Sequence, residues 1–236
     1  MKDRPSARQA VASTAGESSL RQLAYSRIEE LLNWGRLKPG QVISQRALVE
    51  TTGLTLSAIR EAIPRLEAEG LLQTLPQRGL MVPSLDVTFV REAYQMRRII
   101  ELSAIPDMIQ RLDRAVIANW LDWHIQARER LSGDDITDLP TFLRELQVYD
   151  WQMHADMVDA MENSLIANVY RVTAIKIRMT AQTRVRVTRD NAKRVISEHL
   201  AFLNPLMEGS SELAAAALSR HIDQSLTIAL GGTVAN

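Results

Sequence analysis

Apolar side chains recur at helical spacing over most of this 236-residue chain, with short polar breaks between the runs. Leu23, Ile28, Leu31 and Leu32 make one stripe over residues 20–34, ended by Gly35 and the turn Lys38-Pro39-Gly40. Ser44 is placed to cap a short helix reaching about Thr51, with Ala47 and Leu48 inward, and Thr52-Gly53 breaks it. A third helix is predicted from Leu56 to Glu69, stopped by Gly70 in the left-handed position that ends many helices. Two short apolar runs, 71–75 and 80–82, flank Pro76-Gln77-Arg78-Gly79 and read as a β-hairpin. Three helices followed by a hairpin make a winged helix-turn-helix, the third helix being the reader and the hairpin the wing.

Pro83-Ser84-Leu85-Asp86 reads as a linker, and everything beyond it is predicted helical. Six segments stand out, near residues 87–111, 113–131, 138–160, 164–185, 189–208 and 210–230. Their breaks are short, with Gly133 and Pro140 at the second and Gly209 in the last, so neighbouring helices run antiparallel. The expected fold is mostly α: an N-terminal winged helix-turn-helix and a C-terminal antiparallel all-α bundle of about six helices. Residues 1–18 show no periodicity and are expected to form a flexible arm, 19–83 the DNA-binding domain, and 84–236 the helical domain.

Composition narrows the class. No apolar run approaches the ~20 residues that span a bilayer, and the start of the chain has no apolar core of signal-peptide type. With no cysteine, thiolate metal ligands and disulfides are excluded, which fits a cytoplasmic protein in a reducing compartment. Net charge is zero overall. Residues 1–83 nevertheless carry 11 Lys+Arg against 8 Asp+Glu and the remainder 17 against 20, so the two parts stand at +3 and −3. That asymmetry is slight, and phosphate binding depends on cations gathered on one face rather than on a total.

The candidate chemistry lies in the second part. Asp150 and His154 are four residues apart on one helix, so their side chains project from one face a turn apart. His199 and His221 fall in two later amphipathic segments. One carboxylate and three imidazoles suit a borderline divalent cation, zinc first, with nickel, iron or manganese as further candidates. The competing reading is a hydrogen-bonded polar cluster in the bundle core.

Several stretches carry a family likeness. Gly35-Arg36-Leu37-Lys38-Pro39-Gly40, Arg46-Ala47-Leu48, Ile59-Arg60-Glu61-Ala62, Arg65 through Leu71 and Arg78-Gly79-Leu80-Met81-Val82 resemble the head of GntR-family bacterial transcription regulators. The second part is similar to the all-helical FCD effector domain of the FadR subfamily, through Asp150-x-x-x-His154 and two distant histidines, His199 and His221; Asn163 matches as well. Six helices suggest the VanR-like branch. One departure is informative: Leu56 stands where the family usually has an arginine, so the usual operator core is expected to be read differently here.

The resemblance implies a bacterial regulator rather than an enzyme. It would be a homodimeric repressor binding double-stranded operator DNA, with a metal and a small organic-acid effector in the helical domain and no membrane association. The expected DNA contacts are Arg46, Arg60, Arg65, Arg78, Gly79 at the wing, Thr55 and Ser57; helix capping would equally explain Thr55 and Ser57, and ion pairs with Glu61 and Glu69 would explain Arg65. Arg97, Gln147, Arg171 and Arg178 are the effector-site candidates, Arg97 as a carboxylate clamp or as the partner of Glu101, and Gln147 as an outer partner of Asp150. His124 reads as structural or exposed. The alternative from another class is a metal-dependent hydrolase or lyase, and a third reading makes the metal purely structural.

Overall fold

The structure is a computed structural model describing residues 7–132, 138–181 and 186–234, with side chains given from Ser19 onward except at 180 and 181. It divides into two compact units, one holding residues up to Leu85 with Arg178–Thr180, the other formed by Asp86–Ile177 and the residues from Ala181.

In the first unit, α1 (Ala7–Asn33), α2 (Gln45–Thr52) and α3 (Leu56–Ala68) surround a core of Ile28, Leu32, Leu48, Ile59, Leu66, Leu71 and Leu80. Helix α1 reaches back to Ala7, through residues expected to form a flexible arm. Ala, Arg, Gln and Glu in that stretch are good helix formers and need no apolar stripe to extend a helix already begun. Residues 1–6 of the expected arm lie outside the described residues. Helix α2 is capped by Ser44, whose Oγ accepts from the Ala47 amide at 3.0 Å, and ends at Gly53 with φ 70°. Thr55 caps α3 in the same way, accepting from the Ala58 amide at 3.3 Å.

The wing is a three-stranded antiparallel sheet in the order β1-β3-β2: β1 (Val42–Ile43), β2 (Gln73–Leu75) and β3 (Gly79–Met81). Val42 pairs with Met81 and Thr74 with Leu80. The hairpin was legible; the extra strand β1 was not, because two residues carry no period.

The second unit contains α4 (Val87–Arg111), α5 (Arg114–Ser132), α6 (Leu139–Asp159), α7 (Ser164–Ala181), α8 (Arg189–Glu208) and α9 (Ser211–Ala229), within a residue or two of the predicted segments apart from the end of α7. Residues 182–185, expected to finish that helix, and the break at Gly133 lie outside the described residues. Asp86 caps α4 through the Phe89 amide at 2.8 Å, and Gly209, at φ 79°, turns α8 into α9. Helix α8 packs on both α5 and α9, while α4 packs on α9 and α6. Along α8, Ala192, Ile196 and Leu200 belong to one apolar cluster and Phe202, Leu203 and Leu206 to another. Each such side chain contributes about 1.5–3 kcal/mol on burial. His199 lies on α8 where one cluster gives way to the other. No helix among the described residues is long and apolar enough to cross a membrane.

Gly79 has φ 109°, and a Cβ there would stand 2.7 Å from the Ile43 carbonyl oxygen. The close approach of β1 therefore accounts for this glycine within the wing itself. Gly79→Ala is expected to weaken the wing by about 1–3 kcal/mol through clash and backbone strain. Hydrogen exchange at the Val82 amide, which donates to the Gln41 carbonyl, should speed up accordingly; unchanged protection would contradict this account.

Candidate metal centre and nucleic-acid face

Helices α6, α8 and α9 bring the four sequence-predicted ligands together. One ring nitrogen from each of His154, His199 and His221 lies within 4.8 Å of the others, and all three side chains are buried. Asp150 Oδ1 is 3.2 Å from His199 Nε2 and 3.8 Å from His154 Nε2. Groups bound to one ion through bonds of about 2.1 Å stand roughly 3–4 Å apart, so these spacings fit a shared cation. Both His154 nitrogens and His199 Nε2 are buried without a hydrogen-bond partner. Buried polar atoms are seldom left so, and an ion among them would satisfy two of the three.

The opposite edge of each imidazole meets a protein group. His221 Nδ1 lies 2.7 Å from Glu198 Oε2, and Glu198 is gripped by Arg194 at 2.6 and 2.7 Å. His154 Nδ1 lies 3.0 Å from Glu101 Oε2, off the line of a well-formed hydrogen bond. Glu101 is wholly buried on α4, paired with Arg97 and accepting from the Tyr170 hydroxyl at 2.7 Å. His199 Nδ1 lies 2.9 Å from Nε2 of His124, whose own Nδ1 is 2.7 Å from the Trp120 carbonyl oxygen. Carboxylate and carbonyl partners behind ligating histidines orient the rings and raise their basicity.

Burial and charge set the protonation states. Desolvation takes His199 down to about 4 and His124 to about 3, and pushes His221 well below its ordinary value of 6.5, so the rings are neutral and can offer lone pairs. Burial alone would raise the Glu101 carboxyl, but Arg97 and His154 outweigh it and hold it far below the carboxylate range. Asp150 is likewise held low against its burial, by His199 and then His154. Burial lifts Glu198 despite Arg194.

The remaining candidates divide. Gln147 donates to Asp150 Oδ2 at 3.4 Å and accepts from the Val187 amide at 2.7 Å, tying the ligand helix to the segment before α8. Arg97 is the partner of Glu101, the intrahelical pair that competed with a carboxylate clamp. Arg171 donates to Asn168 on its own helix at 3.0 Å, and Arg178 falls by its contacts in the first unit. Sequence reasoning missed Glu101, Glu198, Arg194 and Tyr170 as supports of the site. His124, read as structural or exposed, proves buried and in hydrogen-bond contact with His199. The signals available were Arg-x-x-x-Glu pairs one turn apart, Arg97–Glu101 and Arg194–Glu198, the second ending beside His199.

In the head, Arg46, Thr55, Leu56, Ser57 and Arg60 are exposed at α2 and the start of α3, and Arg78 is exposed at the wing turn. Arg60 donates to Gln45 at 3.0 Å and Ser57 to Glu61 at 3.1 Å. Arg65 is turned toward α1: it pairs with Glu69, donates to Gln22 at 3.1 Å and lies 3.9 Å over the Tyr25 ring. Its visible role is to join α1 to α3.

Comparison with known proteins agrees with this division. Residues 20–82 match the family of bacterial regulatory proteins called gntR, and residues 92–224 match the FCD domain. A helix-turn-helix transcriptional regulator in an unstable DNA locus of Streptomyces ambofaciens is 26% identical over 90% of this chain and 85% of its own. The LutR regulator of Bacillus subtilis is 22% identical over 80% of this chain and 91% of its own. Among solved structures, Escherichia coli McbR/YncC superposes with a TM-score of 0.75 at 17% identity, over 90% of this chain and 97% of that one. At that identity the likeness speaks for the fold.

The neutral imidazoles have a consequence for acid stability. Below pH 6.5 the unfolded chain binds protons that folded His124, His199 and His221 refuse, so stability is complete above 6.5 and falls as pH drops toward about 4, the folded value of His199. Glu198 works in the opposite sense, one group against three. The melting temperature of metal-free protein should therefore drop between pH 7 and pH 5, and a flat profile would contradict the assignment.

Proposed function

Because the chain belongs to the GntR family of bacterial regulatory proteins and carries an FCD domain, it is a DNA-binding transcriptional regulator rather than an enzyme, and we propose that it is a metal-dependent sensor of a small carboxylate. Asp150, His154, His199 and His221 hold one divalent ion, zinc first by the hardness of the donor set. The observation that carries this is the convergence of three buried imidazoles beside Asp150, with the Nε2 atoms of His154 and His199 left without a hydrogen-bond partner. When bound, an ion accepting five or six donors would supply Lewis-acid positions beyond its four protein ligands, open to a carboxylate oxygen. Gln147 steadies Asp150 on its outer side, and Glu101, Glu198 and His124 hold the rings in place.

The regulator works as a homodimer of the FadR subfamily, in its VanR-like branch. Paired heads read a roughly palindromic operator, because two-fold proteins read two-fold sites. Arg46, Arg60 and Arg78 supply the cations, with Thr55 and Ser57 beside them. Exposed Leu56 at the start of α3 offers a methyl-contacting surface in place of a hydrogen-bonding one. The protein represses, and the effector relieves repression by binding one conformational state better than the other.

Two measurements test the proposal. Arg46→Ala and Arg60→Ala should each weaken binding to duplexes enriched from a random pool by about 1–3 kcal/mol. Wild-type-like affinity in both would remove those residues from the DNA face. His199→Ala combined with His221→Ala should abolish zinc binding, read as metal per chain after dialysis. It should also abolish the thermal stabilisation that one class among sugar acids, dicarboxylates and fatty acids gives the zinc-loaded protein, about 2.7 kcal/mol at a hundredfold excess over Kd. Unchanged metal content and unchanged ligand shifts would remove the sensor.

A further inference from the structure

All four histidines of the chain meet in this pocket, and one of them lies outside the proposed ligand set. His124 is fully buried on α5, against the Trp120 carbonyl, the His199 ring and the rings of Trp123 and Tyr149. A carbonyl oxygen only accepts, so the hydrogen in the 2.7 Å contact belongs to His124 Nδ1. A ring wholly removed from water with no carboxylate against it stays neutral and carries a single proton. Nε2 of His124 is then a bare lone pair, and the hydrogen in the 2.9 Å contact comes from His199 Nδ1.

The chain of consequences ends at the pocket. His199 must be neutral to ligate a cation through Nε2, and with its one proton committed to His124 it has none for that atom. That atom stands 3.2 Å from Asp150 Oδ1, so two acceptors face each other across the site. A proton on His199 Nε2, donated to Asp150, would leave the contact between the two rings without a hydrogen. We infer that His124 is a positioning residue: it passes the orientation of the Trp120 carbonyl through its own ring and fixes His199 as the tautomer whose Nε2 lone pair faces Asp150, ready for a cation. This rests on the metal reading above and adds to it a residue that touches no ion.

The test compares His124→Leu and His124→Gln with the wild-type full-length protein. Zinc affinity is measured by chelator competition, and the cobalt(II) absorption bands report ligand geometry. His124→Leu removes the acceptor and should weaken zinc by about 10–100-fold and alter the cobalt bands, as loss of an outer-shell partner does. His124→Gln can place an oxygen where Nε2 stands and should restore affinity to within a few-fold of wild type. Wild-type affinity in His124→Leu, or no rescue by glutamine, overturns the inference while leaving the metal centre intact. Nitrogen-15 spectra of the wild-type imidazoles decide the point independently of how the variants fold. Protons on Nδ1 of both His124 and His199 support the relay, and a proton on either Nε2 overturns it. If wild-type protein takes up neither zinc nor cobalt, the metal reading falls, and the same spectra of metal-free protein still decide the tautomers.

Discussion

The helical domain is governed by the requirement that each buried imidazole find a partner for both of its edges. A neutral histidine has one donor and one acceptor, and removing either from water unmatched costs about 1–3 kcal/mol. The outer edges of His221 and His199 are met by Glu198 and His124, contributed by α8 and α5, while His154 Nδ1 only approaches Glu101 on α4. On the inner side His154 Nε2 is left without a hydrogen-bond partner, and His199 Nε2 faces Asp150. The arrangement of helices follows from this division, since α8 must lie between α5 and α9 for His199 to touch both His124 and the other ligand rings.

Charge in the pocket is distributed with the same economy. Glu101 and Glu198 each stand behind a histidine, and each is held by an arginine one turn earlier on its own helix, Arg97 and Arg194. The two carboxylates nevertheless behave differently. Glu101, deeper and joined by Tyr170 as well, is held low, whereas burial dominates at Glu198 and lifts it. A single arrangement repeated on two helices thus places a firmly anionic group behind His154 and a more readily protonated one behind His221. Any reordering of helices around the pocket would have to disturb one of these pairs.

Much of this was legible in the sequence, and the boundary of legibility has a physical cause. Helix periods survive in sequence because each helix buries one face, so the bundle segments emerged nearly at their observed ends, the end of α7 apart. The four candidate ligands could be picked out because Asp150 and His154 share a helix face and because the order of all four groups resembles a known pattern, and the structure brings them together. Strand β1 was not visible, since its existence depends on Gly79 leaving room for the Ile43 carbonyl. Helix α1 was cut short because its early residues favour helix without showing an apolar stripe. The groups around the four candidate ligands were hidden for a different reason: Glu101 and Glu198 look like ordinary halves of surface ion pairs, and only tertiary packing turns them inward. His124 was set aside because its partner is 75 positions away.

Stability alone does not explain such a pocket. Replacing buried ion pairs by well-packed apolar side chains is often neutral or stabilising, because desolvation offsets the Coulomb attraction. A bundle selected only to persist would have placed leucines where His124, His154, Glu101 and His199 now stand, all of them nearly or fully buried. In the head, by contrast, Arg65 over Tyr25 and the capping of Thr55 are ordinary fold-building contacts, and the exposed arginines lie elsewhere. The polar groups that cost most to bury are therefore concentrated in the second unit. The two units thus differ in kind: exposed cations around α2, α3 and the wing in the first, and a buried cluster of imidazoles and carboxylates in the second.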